Sequence, residues 1–332
     1  MEIAGRKIGP QYPPYCISEI SCNHSGSLEN AKTLIRLAKA ARADAVKTQC
    51  YEPQTITMDI NKTDFIVQDG LWKGRTLWEL YKKAQTPFSW HPDLYKVAKD
   101  SGITVFSSVF DKTAVDFLEK LDCPAYKIAS MEIVDIPLIQ YAASTGKPMI
   151  ISTGMANDQE ILDAHAAAPK AAFLHCMSEY PGTIETSNLG GIIGLQDLLP
   201  SNVIGLSDHS EGSLAPIAAT ALGSSIIEKH FGHLPGVESE DDLFSMDAEE
   251  FAVMVKQVRQ TFAAMQKPPA QENPTRQVRR SLYAIADIKK GENFTEKNIG
   301  SIRPGYGLPC KLLPNLLGRR AGQDYRKGDP LR

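Results

Sequence analysis

ADAVKTQ, residues 43–49, is a short apolar run that ends in a lysine and a glutamine. An apolar run of this length fits a strand buried on both faces, as in a parallel sheet. Seven further runs share the form: YCISEIS (15–21), ITVFSS (103–108), AYKIAS (125–130), PMIIST (148–153), AAFLHC (171–176), NVIGLSD (202–208) and SSIIEKH (224–230). Amphipathic stretches long enough for helices separate them. Alternating strands and helices predict an α/β chain with a parallel sheet. Eight such units over roughly 250 residues predict a closed (β/α)8 barrel of the TIM type. Catalytic residues in that fold sit at the C-terminal ends of the strands. Read off that edge, the chain offers Glu19, Lys47, Gln49, Ser108, Lys127, Ser130, Ser152, His175, His209, Glu228 and His230.

The chain has 332 residues, enough for a barrel and one small extra domain. Its formal net charge of -3 lacks the basic excess of a nucleic-acid binder. No apolar run approaches the roughly 20 residues that span a bilayer. Neither nucleic acid nor membrane is therefore expected as a partner. The stretch MEIAGRKIGPQYPPY has no apolar signal core, so a cytoplasmic protein is expected. Cys16, Cys22, Cys50, Cys123, Cys176 and Cys310 form no CxxC pair and read as reduced core thiols.

Three domain-level segments are expected: a barrel over 1–266, a linker over 267–279 and a small β-rich domain over 280–332. QKPPAQENPTRQ is polar and proline-rich, as linkers are. SLYAIADIKKGENFT and SIRPGYG suggest short strands and turns, and LLPNLLGRRAG one short helix. Helix one is expected from about Leu28 to Arg42, with Ser27 or Ser25 as its N-cap. The segment from Cys50 to Ser89 is long for a connection, and such loops are usually functional. Part of it, TLWELYKKAQ, reads as helical. It is expected to fold over the strand ends.

His209 and His230 end the adjacent strands seven and eight. Two such imidazoles can share a divalent cation, with water or substrate oxygens completing the shell, which suits Mn²⁺ or Mg²⁺. Alternatively each hydrogen-bonds within the barrel mouth. Lys47 and Lys127 at a barrel mouth call for an anion or a Schiff base. Ser108, Ser130 and Ser152 add hydroxyls, so the group suits a phosphate or carboxylate, although any one serine could be structural. Glu19, lodged in an apolar strand, and Glu132, just past strand four, are candidate general acids or bases. His175 is either a third rim residue or a satisfied core histidine.

These residues resemble a known family, the sialic acid synthases and their bacterial relatives that make nonulosonic acids. SEISCNHSGSLENAKTLI, ADAVKTQ, AYKIAS, IISTGM, HCMSEYP, GLSDHS and EKHF look like its signatures, in order. SLYAIADIKKGE and RPGYGL resemble its antifreeze-like (SAF) domain. TLWELYKKAQTPFSWHPDL and FSSVFDKTAVDFLEKL look most like the pseudaminic acid synthase branch.

The resemblance implies condensation of phosphoenolpyruvate with an open-chain 2,4-diacetamido-2,4,6-trideoxy hexose, giving pseudaminic acid and phosphate. The same reaction on N-acetylmannosamine or on the legionaminic acid precursor is the alternative. It implies His209 and His230 as ligands of Mn²⁺, with Mg²⁺ or Co²⁺ as substitutes. It puts Lys47, Ser108, Lys127, Ser130 and Ser152 at phosphoenolpyruvate, and Gln49, Ser178, Tyr180 and Asp241 near the acceptor. Glu19 or Glu132 would take the proton of the water that adds to carbon 2. Arg303 matches an arginine that the SAF domain inserts into the partner's barrel, which implies a domain-swapped homodimer. Ser178 stands where sialic acid synthases commonly carry asparagine, and Ser108-Val109 where they carry Thr-Pro. Asp242 rivals Asp241 in an unusually acidic segment. Trp72 to Tyr81 and Met177 are candidates for an apolar acceptor lining. Two other classes stand beside this reading: a Schiff-base aldolase, and a carbohydrate-binding protein that has lost activity.

Overall fold

Each of the eight runs forms a strand: β1 (Tyr15–Glu19), β2 (Ala45–Cys50), β3 (Thr104–Val109), β4 (Tyr126–Ile128), β5 (Met149–Ser152), β6 (Ala172–Cys176), β7 (Ile204–Asp208) and β8 (Ile226–His230). In the computed structural model they pair in parallel and in sequence order, and β8 closes on β1. Residues 1–266 and 276–332 are described, so most of the linker expected over 267–279 lies outside the described residues. The described chain divides into a unit ending at Gln266 and a second, smaller one.

Register decides where the polar strand ends meet. Glu19 lies opposite Lys47 on one side and His230 on the other. Ser108 lies opposite both Gln49 and Lys127. Chemistry spread over more than 200 residues of sequence therefore converges on one rim.

The helices begin where their caps are. Ser27, rather than Ser25, accepts the Asn30 amide at the start of α1 (Leu28–Ala40). Thr76 and Glu79 form a reciprocal capping box on α2 (Leu77–Ala84), inside the long segment after β2. α3 (His91–Ser101) stops at Gly102, whose φ of 67° needs no Cβ penalty. Asp111 caps α4 (Lys112–Glu119), and Asp135 caps α5 (Ile136–Ser144). Capping boxes open α6 (Asp158–Ala167) and α9 (Ala248–Met265). Between them run α7 (Gly191–Leu198) and α8 (Leu214–Ala221). A hairpin of Glu2–Ile3 with Arg6–Lys7 precedes the barrel and was not expected, because two-residue strands show no periodicity. Its Ile3 and the following Ile8 are buried in the barrel unit's core.

The second unit pairs β9 (Ser281–Ala284) with β10 (Ile299–Ile302), antiparallel. A short helix, Leu313–Leu316, follows. Leu282, Ala284, Ile288, Phe294, Ile299, Ala321, Tyr325 and Leu331 form its own small core. Among the described residues no helix is long and apolar enough to cross a membrane.

Candidate active site

The barrel mouth holds a cavity with a charged floor. Lys47 and Lys127 come from β2 and β4, Glu19 from β1 and Glu228 from β8, and all four are buried. Lys47 pairs with Glu19, and its Nζ lies 3.5 Å from Glu228 Oε1. Lys127 Nζ lies 3.6 Å from the same oxygen. Burial pushes the Glu228 carboxyl up, but Lys127 and Lys47 outweigh it and hold it at about 2. Burial pulls Lys47 down, and Glu19 and Glu228 more than restore it. At Lys127 burial wins, and the ammonium is held below its usual value.

Hydroxyls surround these charges. Lys47 donates to Ser108 Oγ at 3.0 Å, and Lys127 to Ser152 Oγ at 2.6 Å. Gly154 N donates to Ser130 Oγ at 3.1 Å. Each oxygen accepts, so each O–H remains able to donate to an anion in the cavity. Glu132 closes this side from the turn Ser130–Glu132. Its Oε2 is buried without a partner, and burial, only partly offset by Lys127, raises the carboxyl to about 7.

Two imidazoles stand across the cavity, with ring centres 5.3 Å apart. His209 Nδ1 faces the Met177 carbonyl at 3.0 Å, an acceptor only. That puts a proton on Nδ1, so the neutral ring presents the lone pair of Nε2. His230 Nδ1 is buried with no hydrogen-bond partner and lies 3.4 Å from Asp241 Oδ2. Burial raises the Asp241 carboxyl, and His230 outweighs it, so the group stays below its usual value. Tyr180 lies against His209 with ring centres 4.3 Å apart, and Phe244 against His230 at 4.8 Å. Among the described residues no group of three or more His, Cys, Asp or Glu side chains is placed to hold a metal ion. A cation held by the two imidazoles would keep open positions. The two imidazoles, one oriented and one orphaned, fit such an ion.

The segment after β2 supplies the apolar wall. Tyr51, Ile56, Trp72, Leu80, Tyr81 and Ala84 line the cavity, and Phe110 joins them from beyond β3. Arg75 and Lys83 reach across to Glu240, at 2.7 and 2.5 Å. Tyr51 Oη donates to the Tyr81 carbonyl at 3.1 Å. The segment is thus tied both to the end of β2 and to the loop after β8.

Lys47, Lys127, Glu19, Glu132, Ser108, Ser130, Ser152, Gln49, Tyr180, Asp241, His209 and His230 meet in this one unit. All but Glu19 line the cavity, and Glu19 pairs with Lys47 behind it. Gln49 Nε2 donates to Ser21 Oγ at 2.9 Å. Asp242 turns away from the cavity and accepts from the Ser239 amide at 2.6 Å. Ser178 and Met177 are not in the lining. Ser178 Oγ is buried without a partner, beside Gly154, where an added Cβ would lie 2.5 Å from it. Met177 contributes its backbone carbonyl to His209 rather than its side chain to the wall. Arg303 is exposed just past the end of β10 in the second unit. His175 Nε2 meets the Ser187 carbonyl at 2.9 Å and is a satisfied wall histidine.

Sequence reading gave Glu228 no role, although it shares the inward face of β8 with His230, two residues on. Strand alternation was the signal that could have found it. Glu240 carried no signal, because its partners lie 165 and 157 residues away. All six cysteines are free, but Cys22 and Cys176 line the cavity instead of only filling the core. Burial pushes the Cys176 thiol up, and His209 beside it, when protonated, outweighs that and holds it below its ordinary value.

A NeuB family model matches residues 34–269, and a SAF domain model matches residues 279–332. A pseudaminic acid synthase of Campylobacter jejuni subsp. jejuni serotype O:2 is 45% identical over 327 residues, covering 96% of this chain and 95% of that one. A pseudaminic acid synthase of Helicobacter pylori is 41% identical, with 96% of each chain covered. The crystal structure of the spore coat polysaccharide biosynthesis protein SpsE of Bacillus subtilis superposes with a TM-score of 0.68 at 32% identity. It covers all of this chain and 97% of that one.

Proposed function

The chain belongs to the NeuB family, and we propose that it joins phosphoenolpyruvate to an open-chain 2,4-diacetamido-2,4,6-trideoxy hexose, giving pseudaminic acid and phosphate. It is a phosphoenolpyruvate-dependent, carbon–carbon bond-forming transferase. The observation that carries this reading is the floor of Lys47 and Lys127 ringed by three hydroxyls, in a chain 41–45% identical to pseudaminic acid synthases.

Carbon 3 of phosphoenolpyruvate attacks the sugar aldehyde, water adds at carbon 2, and phosphate leaves. Lys47 and Lys127 hold the phosphate and carboxylate, with Ser108, Ser130 and Ser152 donating to their oxygens. Two ammonium groups face two carboxyl groups on this floor, so it has little net charge with which to attract a multiply charged anion. This supports a divalent cation at His209 and His230, with Asp241 alongside. Mn²⁺ is the first choice and Mg²⁺ or Co²⁺ the alternatives; when bound, the ion would polarise the aldehyde. Glu132 suits the proton transfer better than Glu19. Its value near 7 lies close to a working pH, whereas Glu19 is engaged by Lys47 and by the Ser21 amide at 2.7 Å. Gln49, Tyr180 and the wall from Tyr51 to Ala84 are left to the acceptor. An apolar wall suits a 6-deoxy sugar, because a buried unpaired hydroxyl costs roughly 1–3 kcal/mol. Arg303 would act from a partner subunit in a domain-swapped homodimer, and the enzyme is assigned to the cytoplasm.

The test is phosphate release from phosphoenolpyruvate, with the trideoxy diacetamido altrose and N-acetylmannosamine as parallel acceptors, each with Mn²⁺ and with chelator. Release that needs both the altrose and metal is expected. Preference for N-acetylmannosamine would move the enzyme to the sialic acid branch. A borohydride-trapped pyruvate adduct would instead favour a Schiff-base lysine, for which the depressed Lys127 is the candidate.

A further inference from the structure

Lys229 and Asp208 do not line the cavity, yet they are only 1% and 4% exposed. A buried ion pair is poor grounds for stability, because desolvation of both charges offsets much of their attraction. Their position suggests another role. They lie opposite each other as the last paired residues of the β7–β8 ladder. Each immediately precedes a cavity histidine: Asp208 precedes His209, and Lys229 precedes His230. Past this pair, no ladder holds the two strand ends together.

Lys229 Nζ meets Asp208 Oδ2 at 2.5 Å and also donates to the Ser210 carbonyl. Asp208 Oδ1 accepts from the Ser210 amide at 3.0 Å and from its hydroxyl at 2.7 Å. His209 is therefore flanked on both sides by residues that Lys229 grips from the neighbouring strand. We propose that Lys229, Asp208 and Ser210 are positioning residues, a clamp behind the barrel wall that sets the spacing at which His209 and His230 share a divalent cation. The proposal rests on the cation reading above.

The test is direct Mn²⁺ binding to the full chain, read by the electron paramagnetic resonance of free Mn²⁺, beside thermal melting and the KM for phosphoenolpyruvate. The double variant Asp208→Leu, Lys229→Met removes the pair without leaving a lone buried charge. It is expected to melt cooperatively and keep the KM for phosphoenolpyruvate, while binding Mn²⁺ about ten- to a hundredfold more weakly, as for lost outer-shell partners. A folded double variant with wild-type Mn²⁺ affinity would overturn the clamp. If that variant does not fold, Ser210→Ala decides: weaker Mn²⁺ binding at an unchanged melting temperature supports the clamp, and unchanged binding overturns it. Absence of Mn²⁺ binding by the wild-type chain would reject the cation reading itself, a failure distinct from one seen only in the variants.

Discussion

Lys127 is 2% exposed and donates to Ser152 Oγ and to the Ile128 carbonyl. Lys127→Met removes one charged donor while Lys47 still faces Glu228. A charged hydrogen bond contributes about 1.5–3 kcal/mol. The KM for phosphoenolpyruvate should therefore rise about ten- to a hundredfold, measured by phosphate release. Glu132 makes a pH prediction. Its carboxyl is raised to about 7, so its charged form, the proposed base, appears as pH rises through that value. Rate in the free enzyme should climb on that limb, and Glu132→Gln should both lower the rate and flatten the limb. The linkage to stability runs the opposite way with pH. A carboxyl with a raised folded value contributes stability below its unfolded value near 4.5 and loses it as pH rises through about 7. Glu132→Gln should therefore help the melting temperature more at pH 8 than at pH 5. Glu228, held at about 2, runs the other way: its contribution is present above about 4.5 and is lost as pH falls through about 2.

At the scale of elements, much of the barrel was legible in the sequence, for local reasons. The eight apolar runs are strands because they are buried on both faces. The helix starts follow Ser27, Asp111 and Asn157, whose side chains accept from the first turn. Asp247→Ala removes the capping box of α9. It should cost about 1 kcal/mol, or about 2–4 °C in melting temperature, with kcat unchanged. The segment after β2 was legible as a long functional loop with a helix, but its fastening was not. Glu240→Gln would weaken its grip on both Arg75 and Lys83. Partly exposed pairs contribute up to about 1 kcal/mol, so the acceptor KM should rise about fivefold. The KM for phosphoenolpyruvate, set at the floor, should stay the same. A rise in both would count against the wall as an acceptor surface.

For the whole molecule, the proposed trans role of Arg303 makes a mixing prediction. At a phosphoenolpyruvate concentration near the wild-type KM, Arg303→Ala and Lys127→Met chains should each release phosphate slowly. Co-refolded together they should recover phosphate release, because a hybrid dimer would hold one site with an intact floor and an intact arginine. No recovery would count against exchange between subunits. The sequence by itself determined the eight barrel strands, the cap of the first helix and the chemical types at the rim. These depend on side-chain period, caps and composition, which act over a few residues. Only the tertiary structure decided that Glu228 lies between two lysines, that Ser178 and Met177 leave the cavity wall, that Glu240 fastens the segment over the mouth, and that Lys229 grips Asp208 beside the histidines. Those relations depend on barrel register and on partners up to 209 residues apart, Glu19 and Glu228 being the widest pair on one lysine. No local pattern encodes them, because they arise only when the sheet closes.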